Sequence, residues 1–538
     1  MGEMTKTENT TNTNRLLFFL LLGFAVILAL NLVAVSYPFF IVLPMLKALF
    51  LILVNVIYGF ALPRLFGKNR EETLDSAFAL GLIVTTFFFF LLGEFKLLVT
   101  PLILSYLLLP LPILWWILQK QKRIFFETLQ NFLHRPAIEY LVFLFPLIYV
   151  SLPTFNYDTL ASYLGFPNLY VQNSGFVATP ALLYPRPFIY SDVFYIPAVF
   201  AGEMVPQLFH WFVGLILFLA VINFAVDYFK MTRRIILLLT IVSLPTTIFL
   251  ITRVNHDLTG ILFVFLGVVS YLKDKKYLSA LFWGFALGLE YFNILPLVIF
   301  LLWQMRVAIK EKRLAAFMRQ MVFMGLILLV LLTPLLLKNH VFYGNISSPQ
   351  VWYSAFILLA IYGVRAYESL EGRARHVFTV LFFMVVGLST MNTFGKLEHV
   401  TGSHELYTGK IGIAEYKSQN FPAYKGITFV NNNTPPTSHI LMLGEARSYD
   451  LKRRYTISSG YNHDILKQYL GKSVSPQEFA KRLKGNGIDY IIFDLKEFLH
   501  LQNRYNRLTR AECKQTITFL NGLPVLFHDG EVFVLGPF

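Results

Sequence analysis

Cysteine is almost absent from this chain. Cys513 is the only one in 538 residues, which excludes an internal disulfide and any cysteine-ligated metal cluster. Charge is scarce as well. Asp, Glu, Lys and Arg make up 14% of the residues, against about 25% in an ordinary soluble domain. A soluble protein of this length is excluded. What fills the chain is apolar and aromatic: 56% hydrophobic residues, with 54 Phe and 28 Tyr, and a mean hydropathy of +0.58. This composition predicts a polytopic α-helical membrane protein. The net charge of +15 would suit a nucleic-acid binder, but the basic residues fall between apolar runs in an alternating pattern, so no nucleic acid is expected.

About 13 transmembrane helices are expected, at 16–36, 39–62, 74–93, 97–118, 137–152, 205–226, 235–252, 258–272, 277–290, 292–305, 320–337, 351–364 and 376–392. The run 15–36 is too long for a signal-peptide core and reads as a retained first span. With the N-terminus inside, the inside loops hold twenty-one Lys and Arg, while the outside loops hold only Lys96, Arg186, Arg253 and Lys338. That asymmetry sets the orientation: a cytoplasmic N-terminus and residues 393–538 outside. Lys47 is the one charge well inside a span.

Four domains follow. Residues 1–14 read as a disordered cytoplasmic tail, because Thr7 to Asn14 are all Thr, Asn or Glu. Residues 15–136 form a four-helix membrane extension. Residues 137–394 form the membrane core, with an outside loop at 153–204. Residues 395–538 form an outside α/β domain. In that domain Ile440–Leu443 and Ile488–Phe493 read as strands, and 525–528 with 532–535 read as a hairpin around Asp529-Gly530. Ser475-Pro476-Gln477-Glu478 starts a helix. The stretch 401–438 reads as a helix-poor connection. The domain has no glycine-rich phosphate loop and no metal-ligand spacing. Its role is either acceptor binding or a lid, or it is a structural cap. Asn345-Ile346-Ser347 fits a glycosylation acceptor pattern, which means little in a bacterial host.

Asp158, in Asn156-Tyr157-Asp158-Thr159-Leu160, opens the outside loop just after an apolar run. An acid where a span meets a loop is either a helix N-cap or a chemical group. Tyr157-Asp158-Thr159-Leu160 with Tyr163-Leu164, Pro167, Tyr170 and Gly175 resembles the first outside loop of C-type (GT-C) membrane glycosyltransferases. That group includes dolichyl-phosphate-mannose–protein mannosyltransferases and bacterial relatives acting on lipid-linked sugars. Asp192-Val193-Phe194-Tyr195 with Gln207 to His210, Asn255-His256-Asp257, Lys338 to Asn345, and Gly487 to Ile491 resemble later motifs of the group, in order. The resemblance covers roughly 137–538. It departs at Leu164 (often His), Ile346 (often Pro) and Glu290, where Gly288-Leu289-Glu290-Tyr291 has an acid in place of a lysine.

The resemblance implies a GT-C-like fold and transfer of a sugar from a polyprenyl-phosphate donor to a hydroxyl of a glycan, lipid or protein acceptor. Membrane lipid is the surrounding partner, and the bacterial inner membrane the expected location. Such chemistry wants a base and a positive site for the leaving phosphate. Asp158 is the expected general base, and one base without a nucleophile implies inversion. Arg186, Arg253 and Lys338 are candidates for the donor phosphate, or they are loop anchors and a snorkelling lysine. Tyr163, Asp192, His256, Asp257, Glu290 and His340 are candidate supporting or substrate-binding residues. Asp257 is otherwise a cap or a partner of Arg253, Asp192 and Glu203 otherwise solvated loop acids, and His210 an interhelical hydrogen bonder. No cofactor and no metal are expected. The competing readings are a transporter of lipid-linked glycan precursors, a polymerase or ligase of lipid-linked glycans, and a non-catalytic scaffold.

Overall fold

The computed structural model describes residues 41–65, 73–133, 149–177, 189–232, 234–242, 245–290, 293–318, 408–458, 465–470, 475–505 and 508–538, with scattered positions between. The tail 1–14, the expected spans at 16–36, 351–364 and 376–392, the Asn345 pattern, and most of 137–152 and 320–337 lie outside the described residues.

Among the described residues, four helices are long and apolar enough to cross a membrane: Val42–Arg64, Leu74–Glu94, Thr100–Lys120 and Val205–Phe229. Arg234–Val242 and Thr246–Thr252 make a fifth if taken as one span bent by 77°. Pro245, which opens the second segment, cannot donate to the preceding turn. The chain is a mostly helical membrane protein. The helices Asp257–Leu272, Lys276–Leu289 and Ile294–Lys310 are each shorter than the roughly 20 residues of a perpendicular crossing.

The helices Val42–Leu65 and Leu74–Glu94 meet backbone to backbone. A Cβ on Gly59 would strike the Ala77 carbonyl, and one on Gly81 would strike the Asn55 carbonyl. Among lipid tails, apolar contact alone gives helices no reason to associate, so close packing and hydrogen bonds carry the interface. Here the Thr85 hydroxyl donates to Asn55 Oδ1 at 2.7 Å and lies 2.7 Å from the Tyr106 hydroxyl, while the Tyr58 hydroxyl donates to the Tyr106 carbonyl at 2.6 Å. Lys47 lies near the start of this pair rather than deep within a span. Its Nζ donates to the Ala201 carbonyl at 2.7 Å.

After the first bundle the chain makes a wide π-helical turn, Thr159–Tyr163, and a short helix, Gly165–Gln172. Two further short helices, Ser191–Phe194 and Ile196–Ala201, lead into Val205–Phe229. These segments are mostly buried, so the stretch is a packed shelf at one end of the bundle.

The C-terminal domain rests on that shelf. Its five strands are β1 (His439–Leu443), β2 (Arg454–Ser458), β3 (Tyr490–Asp494), β4 (Val525–Asp529) and β5 (Val532–Leu535), in the sheet order β2-β1-β3-β5-β4. β1 pairs in parallel with β2 and β3, and β5 runs antiparallel to β3 and β4. Alternate residues face opposite sides. Ile440, Met442, Ile492 and Val534 pack with Ala423, Ile427 and Val430. Leu441, Leu443, Ile491 and Phe493 pack with Phe479, Leu483 and Phe519. The expected strands and hairpin are present, as is the helix Pro476–Gly485, whose Ser475 hydroxyl accepts the Glu478 N–H at 3.2 Å.

The stretch 401–438 differs from the sequence expectation. It contains two helices, Ile413–Asn420 and Ala423–Asn433. Ala423, Ile427 and Val430 fall at helical spacing and cover one sheet face. Helix-poor composition at Asn431 to Pro436 masked that stripe.

Gly81→Ala adds one methyl group where a backbone carbonyl stands, an overpacking that costs about 1–3 kcal/mol or more. Gly485→Ala adds the same methyl group to open space. Thermal melting of the purified protein in detergent should show a clear loss for the first and almost none for the second. Equal melting of both would contradict the close packing.

Candidate functional site

The shelf carries Asp158. Asn156 Oδ1 accepts the Thr159 backbone N–H at 3.0 Å and the Thr159 hydroxyl at 3.1 Å. Asn156 therefore satisfies the donor that an N-cap would satisfy. Asp158 has helical backbone angles, makes no capping bond and is exposed. Of the two sequence alternatives for Asp158, the capping role belongs to its neighbour. The Thr159 hydroxyl also lies 3.1 Å from the Val254 carbonyl. That contact joins the Asp158 turn to the loop 253–256.

Arg253 stands in this second loop. Burial pulls its pKa down, and Asp158 opposes the effect by favouring the charged guanidinium. The structure thus brings the expected base and one of the expected phosphate-binding cations into electrostatic contact. The guanidinium also lies over the Phe249 ring, 3.8 Å from its centroid, an orientation that suits a planar cation.

Three residues further on, the loop meets Glu290. His256 Nε2 is 3.0 Å from Glu290 and 3.5 Å from Asp257. The Tyr163 ring packs on the imidazole, with centroids 5.1 Å apart. Asn255, through its Oδ1, accepts the Leu258 N–H at 3.3 Å, so here too the residue ahead of the acid does the capping. Asp257 instead faces His256 and Glu290. Burial pushes its carboxyl up to about 7, with His256 lowering it and Glu290 raising it. Asp257 and Glu290 also hydrogen-bond to one another, so the pair is best satisfied when it shares a proton.

His256, Asp257 and Glu290 offer ligand atoms within 4.8 Å of one another. One imidazole nitrogen and two carboxylate oxygens are donors that suit a divalent cation. The same three groups also meet one another directly, with the imidazole between both carboxyls. Glu290 itself stands in extended conformation at the break between Lys276–Leu289 and the next helix. The acid found where the family resemblance would put a lysine is therefore matched by an imidazole beside it.

The other expected site residues divide. Asp192 is buried, and its Oδ2 accepts the Ile189 N–H at 3.3 Å within its own turn. His210 bridges helices: Nδ1 is 2.7 Å from the Tyr195 hydroxyl, and Nε2 is 2.8 Å from the Leu250 carbonyl. Glu203 is not a plain loop acid. It pairs with Lys417 of the C-terminal domain, which is 4% exposed and also 3.1 Å from Asp450. Arg186, Lys338 and His340 lie outside the described residues.

Sequence reasoning missed the groups that the C-terminal domain brings to the shelf. Asn168 Nδ2 donates to the Tyr449 carbonyl at 2.9 Å and Gln172 Nε2 to the Leu451 carbonyl at 3.1 Å. Arg447 Nη1 donates to the Phe155 carbonyl at 3.2 Å. The one local signal was Gly444-Glu445-Ala446-Arg447, which follows a buried strand directly.

A carboxyl raised from its ordinary 3.8 weakens the fold once it ionises, so its stabilising contribution is present at low pH and lost as pH climbs through about 7. Wild-type protein should melt lower at pH 8 than at pH 6. Asp257→Asn, which imitates the neutral acid, should flatten that difference, and an unchanged pH dependence in the variant would contradict the assignment. No protein-family model, curated protein or solved structure matches this chain.

Proposed function

We propose that this protein is a membrane glycosyltransferase that moves a sugar from a polyprenyl phosphate to an acceptor hydroxyl, with inversion at the sugar carbon. The observation that carries the reading is an exposed, non-capping Asp158 on a turn that the Thr159 hydroxyl ties to the Val254 carbonyl, next to Arg253, whose charge Asp158 favours. Asp158 accepts the proton of the acceptor hydroxyl. The acceptor oxygen bonds to the anomeric carbon as the bond from that carbon to the phosphate oxygen breaks. The electron pair leaves with the polyprenyl phosphate, whose charge Arg253 offsets. Arg186 and Lys338 are further candidates for that phosphate.

In this reading the chain has the thirteen spans of the sequence pattern, a cytoplasmic N-terminus, and its site on the outer face of a bacterial inner membrane. His256, Asp257 and Glu290 cluster next along the chain from Arg253, and Tyr163 supports His256. The acceptor is a glycan, lipid or protein that approaches from the side of the C-terminal domain.

The test supplies radiolabelled polyprenyl-phosphate sugars to membranes containing wild type or Asp158→Asn, and follows label into lipid, glycan and protein. Removing a general base lowers a rate by about 100-fold or more, so transfer should nearly vanish while expression holds. Equal transfer by both proteins would sink the role of Asp158. No transfer by wild type from any donor would sink the glycosyltransferase reading.

A further inference from the structure

The sheet order β2-β1-β3 puts a change of direction between β1 and β3, since the chain goes to one side for β2 and crosses back for β3. In open α/β sheets the crevice beyond the carboxyl ends of two such strands is where binding groups collect. Here the crevice is formed by Gly444 to Arg447 after β1 and by Asp494 at the end of β3. Gly444 has a φ of +80°, and a Cβ on it would run into the Asp494 carbonyl. Only glycine lets the chain turn sharply enough there to bring Glu445 back under the strand ends.

Glu445 is fully buried. Its Oε1 accepts the backbone N–H groups of Ala446 and Arg447, both at 2.8 Å. Arg447 Nε is 3.0 Å from each carboxylate oxygen, and Nη2 donates to Oε2 at 2.6 Å. The guanidinium also lies over the Phe421 ring, 4.2 Å from its centroid. Such a fork leaves little rotational freedom. Its remaining nitrogen, Nη1, points out of the domain and donates to the Phe155 carbonyl at 3.2 Å, three residues ahead of Asp158. Burial alone would weaken the charge on Arg447, but Glu445, Glu497 and Asp494 outweigh burial and hold it.

We infer that Arg447 is a positioning residue: it ties the crevice of the C-terminal domain to the turn that bears Asp158 and fixes where that carboxylate stands. The turn is then gripped twice. Arg447 holds it from the domain at Phe155, and the Val254 carbonyl meets it from the membrane helices at Thr159. The consequence for sugar transfer rests on the function proposed above. The structural link does not, and the two are measured separately.

The full-length protein in lipid nanodiscs is compared with Arg447→Met and with Glu445→Gln/Arg447→Met by hydrogen–deuterium exchange. The double variant removes both charges, so no lone buried carboxylate is left to unfold the domain. In both variants the peptides covering 154–163 should exchange at least about tenfold faster, the direction expected when a hydrogen-bonded clamp is lost. Peptides covering β1 and β3 should be unchanged in the double variant. Unchanged exchange at 154–163 in a variant with intact strands overturns the inference, and so does loosening of the strands and the turn together in the double variant.

Transfer gives the second readout. Misplacing a reacting group by about 1 Å costs up to about 100-fold, so kcat should fall between about ten- and a hundredfold with the donor KM nearly constant, and Arg447→Lys should recover part of it. A faster-exchanging turn in a chain that transfers nothing even as wild type would uphold the link and reject the glycosyltransferase. A faster-exchanging turn with unchanged kcat would reject the positioning role.

Discussion

The segment Phe155–Thr159 is gripped from two directions, and the site takes its form from that grip. One contact comes from Arg447 in the C-terminal domain, the other from the Val254 carbonyl in the membrane bundle. Between them Asn156 takes up the free donors of the turn. Asp158 is thereby released from capping the turn. The exposed carboxylate stands on a turn tied to the loop of the half-buried Arg253. The short helices of the shelf beneath it are largely buried.

Several of the described buried charges lie where two units meet. Lys417 with Glu203 and Asp450, and Arg447 with Glu445, are all at or near the contact between domain and shelf. Buried pairs such as these add little net stability, because desolvation cancels much of the attraction. They fix register instead. A domain docked through apolar contacts alone can slide, whereas a lysine seated between two acids and an arginine forked on a buried glutamate allow one position.

Much of the architecture was legible because membrane helices and parallel strands are written as long apolar runs. The spans near 42–65, 74–94 and 205–229, the strands near 440 and 491, and the Ser475 cap all follow from local pattern. Asp158 could be singled out because an acid at the edge of an apolar run is costly. Its relation to Arg253 could not be derived, since they are distant in sequence and only folding joins them. Arg447 was illegible for the same reason, standing 292 positions along the chain from Phe155. The helices at 413–433 were hidden because the Asn and Pro residues that follow their apolar stripe read as a connection. Glu290 read as a discordant charge, and only its imidazole partner makes sense of it.

The proposed chemistry stands or falls on a lipid-borne phosphate held at Arg253, with the sugar lying toward Asp158. Photocrosslinking tests it most directly, using a polyprenyl-phosphate sugar with a diazirine on its first isoprene unit and the full-length protein in nanodiscs. The account predicts saturable labelling of peptides covering 155–163 and 249–257, competed by unlabelled polyprenyl phosphate and weakened by Arg253→Gln. Labelling confined to other loops, or labelling that does not saturate, would contradict it.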